Sequence, residues 1–372
     1  MSKFNLFSIS QPKHAHNINF IYFILVIFLV ILGLNVLLAS SSFMAQNKFE
    51  NTFYFIQKQL IFGAIGVILL LLISQLHYSF WLKLAWPLYI ISLILLILVF
   101  IPGIGKLAGG ARRWLTLGPF SLQPSDVARF SVILLLARLY AKTLHVSVAL
   151  MGITILIIFI PAILIALEPD FSTALHLIIA CGLFLFFTKF PLTIMVTGLI
   201  ASLPIVYYNI INEPYRLKRF LSFLDPWKLR YDGGFQLVAS YKSFLNGGLW
   251  GKGLGEGLRR HNLQARHTDF IMAVIAEDLG FMGVLTFLLI FLGLIVYGFF
   301  IMSRIENNFG RLLGSGFLSI LSIQVIINLT VTMGLIPTTG ISLPLISYGG
   351  SSLVVYLMMF GIILNISRET KT

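Results

Sequence analysis

Asp269 follows His267 and Thr268 and heads a long apolar run that also holds Glu277 and Asp278. A carboxylate at the point where a chain re-enters a membrane is partly desolvated. Desolvation raises its pKa and sharpens it as a general base, and a nearby guanidinium such as Arg266 pulls the pKa back down. The same position also suits a helix N-cap, and residue type alone does not choose between the two. Asp126 and Arg129 open another apolar run behind Pro124 and Ser125. Three residues apart, they share a helix face and can pair, either as a structural cap and ion pair or as part of a site, since ionisable groups inside a span default to function. Asp170 and Thr173, after Glu168 and Pro169, read as a helix cap or as a contact for substrate or cation. Arg112 and Arg113, after Gly109 and Gly110, present forks suited to phosphate or to lipid head groups. Residues 337–352 carry no charge and are dense in Gly, Pro and hydroxyls; irregular backbone at a membrane face must be buried in protein or line a wet cavity. Ser347, Gly349, Gly350 and Ser351 lie there.

These groups need a scaffold, and composition says which kind. The chain has 372 residues, 58% hydrophobic and only 10% charged, against roughly 25% charged in soluble proteins. Its main solvent is lipid. The formal net charge of +13 favours anionic partners such as phospholipid head groups or a phosphorylated substrate. No soluble basic domain is present to bind nucleic acid. The lone Cys181 excludes an intrachain disulfide, and neither a Cys/His zinc spacing nor an HExxH motif occurs.

A crossing helix needs about 20 apolar residues, which predicts an all-α polytopic fold with about ten spans. They fall near 18–41, 59–75, 79–101, 126–141, 147–167, 172–188, 190–209, 269–301, 312–335 and 348–367, within a single membrane domain, 1–372. The first is read as an uncleaved span rather than a signal peptide. The fourth and sixth are short for a crossing. Ten spans put both termini on one side. Lys3, Lys13, Lys83, Arg138, Lys142, Lys189, Arg304, Arg311, Arg368 and Lys371 make that side cytoplasmic by the positive-inside rule. Trp81 and Trp86 fit an interfacial belt or the interior of the bundle. The remaining charge crowds the outer face, largely in one loop, 210–268, between spans 7 and 8. That loop carries Arg216, Lys218 and Arg219. It then holds a partly helical stretch, 235–246, able to lie in the interface with its apolar side down. A glycine-rich run, 247–257, follows and includes Lys252. Without GK[ST] it is no P-loop. It reads as a flexible re-entrant turn or as a backbone that approaches a lipid-linked substrate closely.

Segments 110–114, 123–126, 168–174, 247–255, 267–280 and 334–352, in this order, resemble the SEDS family, the FtsW/RodA proteins of bacterial shape, elongation, division and sporulation. They run along nearly the whole chain, and the last two are long and specific. Phe223 to Trp227, Phe235 to Val238 and Ala39 to Ser42 are closer to the division branch. Pro337, Thr338, Thr339 and Gly340 lack a lysine often seen there and lean to the elongation branch. The family usually has Glu at Asp126, Lys at Arg129 and Gly at Ser172. The first two exchanges keep charge but change reach, which weakens any tightly specified geometry for that pair.

The resemblance implies a ten-span fold and a peptidoglycan glycosyltransferase polymerising lipid II at the outer face of the bacterial cytoplasmic (inner) membrane, with Asp269 as the essential aspartate. It also implies a class B penicillin-binding protein as partner, other division proteins, and a place at the septum. Joining an acceptor hydroxyl to a donor sugar on polyprenyl pyrophosphate needs one general base. It needs no general acid, because the leaving pyrophosphate is already a stable anion; glycoside hydrolysis, by contrast, uses two carboxylates. Asp269 supplies the base. Arg113, Arg129, Arg216, Lys218, Arg219, Lys252 and Arg266 are candidates to hold the pyrophosphate, with or without a divalent cation such as Mg2+. Asp126, Asp170, Thr173, His267, Thr268, Glu277, Ser347, Gly349, Gly350 and Ser351 are supporting polar groups. The rival classes are a lipid II flippase, which needs polar groups along its whole crossing path, an elongation-type polymerase and a non-catalytic division scaffold.

Overall fold

The computed structural model describes residues 19–108, 111–118, 120–143, 145–257 and 266–369. Gly109, Gly110 and the terminal lysines Lys3, Lys13 and Lys371 lie outside the described residues. Helix α1 (Phe20–Phe49) starts where the Asn19 side chain accepts the Tyr22 N–H at 3.0 Å, a cap worth about 1 kcal/mol. Helices α2 (Tyr54–Gln75) and α3 (Ser79–Leu98) follow. After a small sheet come α4 (Pro124–Tyr140), α5 (Val148–Leu167), α6 (Phe171–Phe186) and α7 (Leu192–Ile211). The long loop carries α8 (Pro214–Leu224) and α9 (Phe235–Gly247), and the chain finishes with α10 (Ile271–Ser303), α11 (Asn308–Thr332) and α12 (Gly350–Ser367).

Every predicted span is a helix, but among the described residues only eight are long and apolar enough to cross a membrane. The exceptions are the two short ones. At about 1.5 Å per residue, neither α4 nor α6 covers a roughly 30 Å hydrocarbon core, and α4 carries Asp126, Arg129 and Arg138 besides. Almost the whole of α4 is buried, against α3, α5, α6, α11 and α12. A helix covered all round belongs to the core of a bundle, and that core is where its charges can be matched. At the other extreme, α7 buries none of its described side chains. Trp81 is packed inside against Phe130, whereas Trp86 is exposed.

Three local structures depart from the sequence reading. Before the fourth span stands a three-stranded antiparallel sheet in the order β1 (Gly105–Ala108), β2 (Ala111–Leu117), β3 (Phe120–Leu122), with Lys106 opposite Trp114 and Thr116 opposite Ser121. Ala111 and Leu115 are buried, and the ladder between β1 and β2 shifts register at Arg113, which has no opposite residue between the pairs Lys106–Trp114 and Leu107–Arg112. Helix α8 was not foreseen. Helix α9 was, but its apolar side faces protein rather than lipid: Leu237, Val238 and Ala239 are buried, Ala239 packs with Ala273 and Val274 of α10, and Ser240 Oγ donates to the Thr332 carbonyl at 2.7 Å.

Helix α10 is broken at Gly280 (φ 68°, ψ −166°). The part after the break is long enough alone to cross the membrane. The part before it is a half-helix that ends on the glycine-rich loop. There the backbone N–H groups of Lys252 and Gly253 reach the Glu277 and Asp278 carbonyls at 3.1 and 2.9 Å, satisfying helix-end acceptors. The N–H groups of Phe281 and Met282 return bonds to Gly248 and Leu249. Gly251 (φ 81°) leaves no room for a side chain, since a Cβ would sit 2.2 Å from the Asp278 carbonyl oxygen. The glycines thus let this backbone approach α10.

Candidate active site

Five of the six segments singled out in the sequence, all but the glycine-rich 247–255, converge on one cavity of about 160 Å³ at one end of the bundle. Its walls are Arg113 and Trp114 of β2, Gln123, Asp126 and Arg129 of α4, Asp170, Thr173 and His176 around the start of α6, Thr268 and Asp269 before α10, Gln324 of α11, and Gly340 to Ser342 and Tyr348 to Ser352 of the uncharged loop, apart from Gly350 and Ser351.

Asp269 is partly buried at the cavity wall, and burial lifts its pKa to about 6. The positive charge of Arg219 and a hydrogen bond with Thr268 oppose that rise, and the charge of Asp170 adds to it. The moderating cation is therefore Arg219 rather than the expected Arg266; His267 is held down at about 4 chiefly by burial, with the charges of Arg266 and Lys48 adding to it. A carboxylate near 6 is mostly ionised at neutral pH yet more basic than in water, as a general base should be.

Across the cavity, Asp126 and Arg129 form the expected pair inside α4. Arg129 Nη1 also donates to Gln324 Oε1 at 2.6 Å and to His176 Nδ1 at 3.1 Å. The second oxygen of Asp126 accepts Ser351 Oγ at 3.2 Å. Asp170 caps α6 by accepting the Thr173 N–H at 3.3 Å, and lies 4.0 Å from Arg113 Nε. Arg113 donates to the carbonyls of Glu168 and Pro169, tying the sheet to the α5–α6 turn. The Glu168 carboxyl beside it is buried, and burial together with Asp170 raises its pKa to about 8.

The uncharged loop is stitched to Asp269's neighbours. Ser347 Oγ donates to the Thr268 carbonyl at 2.6 Å, and the Tyr348 N–H donates to the His267 carbonyl at 2.8 Å. Gln59 of α2 accepts the Gly349 N–H at 3.2 Å, and Gly350 packs on Phe62. The His267 ring lies against Phe55 and Tyr348.

Of the seven basic candidates, Arg113 and Arg129 line the cavity. Arg219 stands behind it, donating to the Thr338 carbonyl at 3.2 Å. Arg216 lies over the Phe171 ring and bonds Asn209, and Lys218 pairs with Asp232. Arg266 is buried over Phe43, and Lys252 lies by the α10 break. Glu277 belongs with Lys252: its carboxylate accepts Ser243 and Asn246 at 3.2 and 2.9 Å. Gln324 and Asn328 were missed. Two amides four residues apart in an apolar span were the available signal. Among the described residues no group of three His, Cys, Asp or Glu is arranged to hold a metal ion, so these residues do not fit a protein-built cage for a divalent cation.

A family model described as cell cycle protein, FTSW_RODA_SPOVE, matches residues 19–372. The chain is 35% identical over 364 residues to a probable peptidoglycan glycosyltransferase FtsW of Geobacter metallireducens, covering 96% of this chain and 97% of that one. It is 36% identical over 353 residues to stage V sporulation protein E of Bacillus subtilis, covering 94% and 96%. Among solved structures it is similar, at a TM-score of 0.80 and 30% identity, to a chain of a peptidoglycan synthase complex that coordinates polymerization and crosslinking, covering 95% of this chain and 99% of that one.

Proposed function

The chain belongs to the FtsW/RodA/SpoVE family of cell cycle proteins, and we propose that this multi-pass peptidoglycan glycosyltransferase polymerises lipid II in the cavity headed by Asp269. The observation that carries the reading is the convergence of Asp269, Arg113 and Arg129 on one polar cavity at a bundle end. Asp269 takes the proton from the acceptor 4-hydroxyl as the oxygen attacks C1 of the donor sugar. The C1–O bond to pyrophosphate breaks, and the leaving group departs as an anion that needs no proton. Most of the forks of Arg113 and Arg129 are engaged by protein partners. They therefore act chiefly as fixed positive charge where pyrophosphate charge develops, with Arg219 behind them. Preorganised charge of this kind costs no rearrangement at the moment of reaction.

In this reading the cavity end is the extracytoplasmic face and both termini are cytoplasmic. Lipid tails lie between helices in the membrane while head groups reach the cavity. The relatives named FtsW favour septal wall synthesis in cell division. The likeness to a chain of a synthase complex favours a class B penicillin-binding protein, with other division proteins beside it.

The test uses the full-length chain, purified with its co-expressed transpeptidase and given labelled lipid II. Polymer is expected from the wild type, and none from Asp269→Asn, which should keep lipid II binding and fold. Polymer from Asp269→Asn would remove Asp269 as the base. Translocation across proteoliposomes without polymer would overturn the polymerase reading altogether.

A further inference from the structure

One face of α11 touches α4, α6, α12, the 341–342 wall and the backbone of Asp269. Ile320, Gln324 and Asn328 recur at four-residue steps and so stand one above another along that face. The Ile320 carbonyl accepts His176 Nε2 at 3.2 Å. A proton on Nε2 leaves Nδ1 of a neutral ring free to accept from Arg129. Gln324 Oε1 accepts both Arg129 and the Tyr356 hydroxyl, and its Nε2 donates to the Ser342 carbonyl at 2.9 Å. Asn328 Nδ2 donates twice, to the backbone carbonyls of Asp269 and Ile341, each at 2.9 Å.

Both amides are fixed in orientation by these partners. Turning Gln324 over would put its NH2 against a guanidinium, and turning Asn328 over would put its oxygen against two carbonyls. Both side chains are almost completely buried. Buried donors facing buried carbonyls are costly to remove, because the acceptors are left unsatisfied. A lipid-facing helix has no use for them, and α11 places them one turn apart where Arg129 and Asp269 approach it.

We propose that Gln324 and Asn328 are positioning residues for glycosyl transfer, a rail on α11 that fixes the separation of the Arg129 cation from the Asp269 carboxylate. Neither touches the hydroxyl being deprotonated. Asn328 holds the backbone of Asp269 against the 340–342 wall. Gln324 holds Arg129 against the same wall one turn away. The rail therefore sets base and cation in one frame. This inference rests on the reading of Asp269 as the base.

Three variants of the full-length chain, each with its co-expressed transpeptidase and labelled lipid II, test it. Asn328→Leu keeps the volume and loses the donors. Displacing a reacting group by about 1 Å can cost 100-fold in rate. We expect kcat to fall about 10- to 100-fold with KM within about 3-fold, as for a misplaced rather than a missing contact. Asn328→Gln, which keeps the amide donors, should recover a large part of the rate. Gln324→Leu should lower kcat in the same way and supplies the test if Asn328→Leu does not fold. The distinguishing readout is the acid limb of the pH–rate profile. In Asn328→Leu it should shift toward lower pH as water reaches a loosened Asp269. A loss explained wholly by fewer active molecules, with the limb unmoved, would make Asn328 merely structural and overturn the proposal. So would wild-type kcat in both leucine variants. Activity in Asp269→Asn is a separate failure, that of the base itself.

Discussion

Asp269 and Glu277 stand at the two ends of the half-helix that precedes Gly280, and the same functional group does different work at each end. Glu277 has both oxygens filled by Ser243 and Asn246, and its neighbour Asp278 accepts the Gly255 N–H at 2.9 Å. Those carboxylates are a joint that binds α9, the glycine loop and α10 into one piece. Asp269 bonds Thr268 and otherwise borders the cavity, with its pKa raised to about 6. Donors that saturate a carboxylate make it structural. A carboxylate that is desolvated but left facing a cavity stays basic and reachable. The half-helix connects the two, and of these carboxylates only Asp269 borders the cavity.

The largest expected effect separates them directly. Asp269→Asn should bring polymerisation down to background, a fall of at least the roughly 10²- to 10⁴-fold that loss of a general base costs, with melting temperature unchanged. Glu277→Ala should do the reverse. It strips Ser243 and Asn246 of their acceptor and should cost about 1–3 kcal/mol of stability, measured as a lower melting temperature in detergent, while the rate per folded molecule stays within about 3-fold. Gly251→Ala should destabilise by a similar 1–3 kcal/mol through forced overpacking against Asp278. An inactive but fully stable Glu277→Ala would erase the distinction between base and joint.

A smaller effect concerns pH. Asp269 must be ionised to act, so kcat/KM should fall about tenfold per unit below about pH 6. The groups that set this limb are Arg219 and Thr268, which lower the pKa, and Asp170, which raises it. Arg219→Gln should therefore move the limb upward, toward neutrality. A limb that stays put in Arg219→Gln would show that this cation does not act on the base.

Much of this was legible in the sequence because lipid imposes long apolar helices, and charge inside such runs is expensive enough to mark function. The helices, the short α4 and α6, the Asp126–Arg129 pair, the Asp170 cap and the uncharged wall could all be read that way. The small sheet could not, because its strands are a few residues each between glycines. The fate of the long loop could not either. Whether Lys218, Lys252 and Arg266 face the cavity depends on how the loop folds, and local spacing carries no record of that. Gln324 and Asn328 were hidden for a different reason: an amide carries no charge, so its cost in a span is modest and its signal weak.

The smallest expected effect comes from a third carboxyl, Glu168, which lies beside the cavity residues Arg113 and Asp170 yet is neither joint nor base. Its pKa of about 8 leaves it largely protonated at pH 7, with burial the main cause, Asp170 adding and Arg113 opposing. A protonated carboxyl and an amide are close in size and charge, so Glu168→Gln should keep polymerisation at pH 7 within about 2-fold. The sign of its contribution to stability follows from linkage. The folded-state pKa lies above the ordinary 4.5, so between about 4.5 and 8 the folded protein holds a proton that the unfolded chain has released. Stability falls as pH rises through that window. Glu168→Gln removes this slope. Melting temperatures of the two proteins, compared from pH 5 to 9, should show the variant gaining on the wild type as pH rises. A constant difference across the range would mean that Glu168 is ionised throughout, and that its surroundings are wetter than its burial implies.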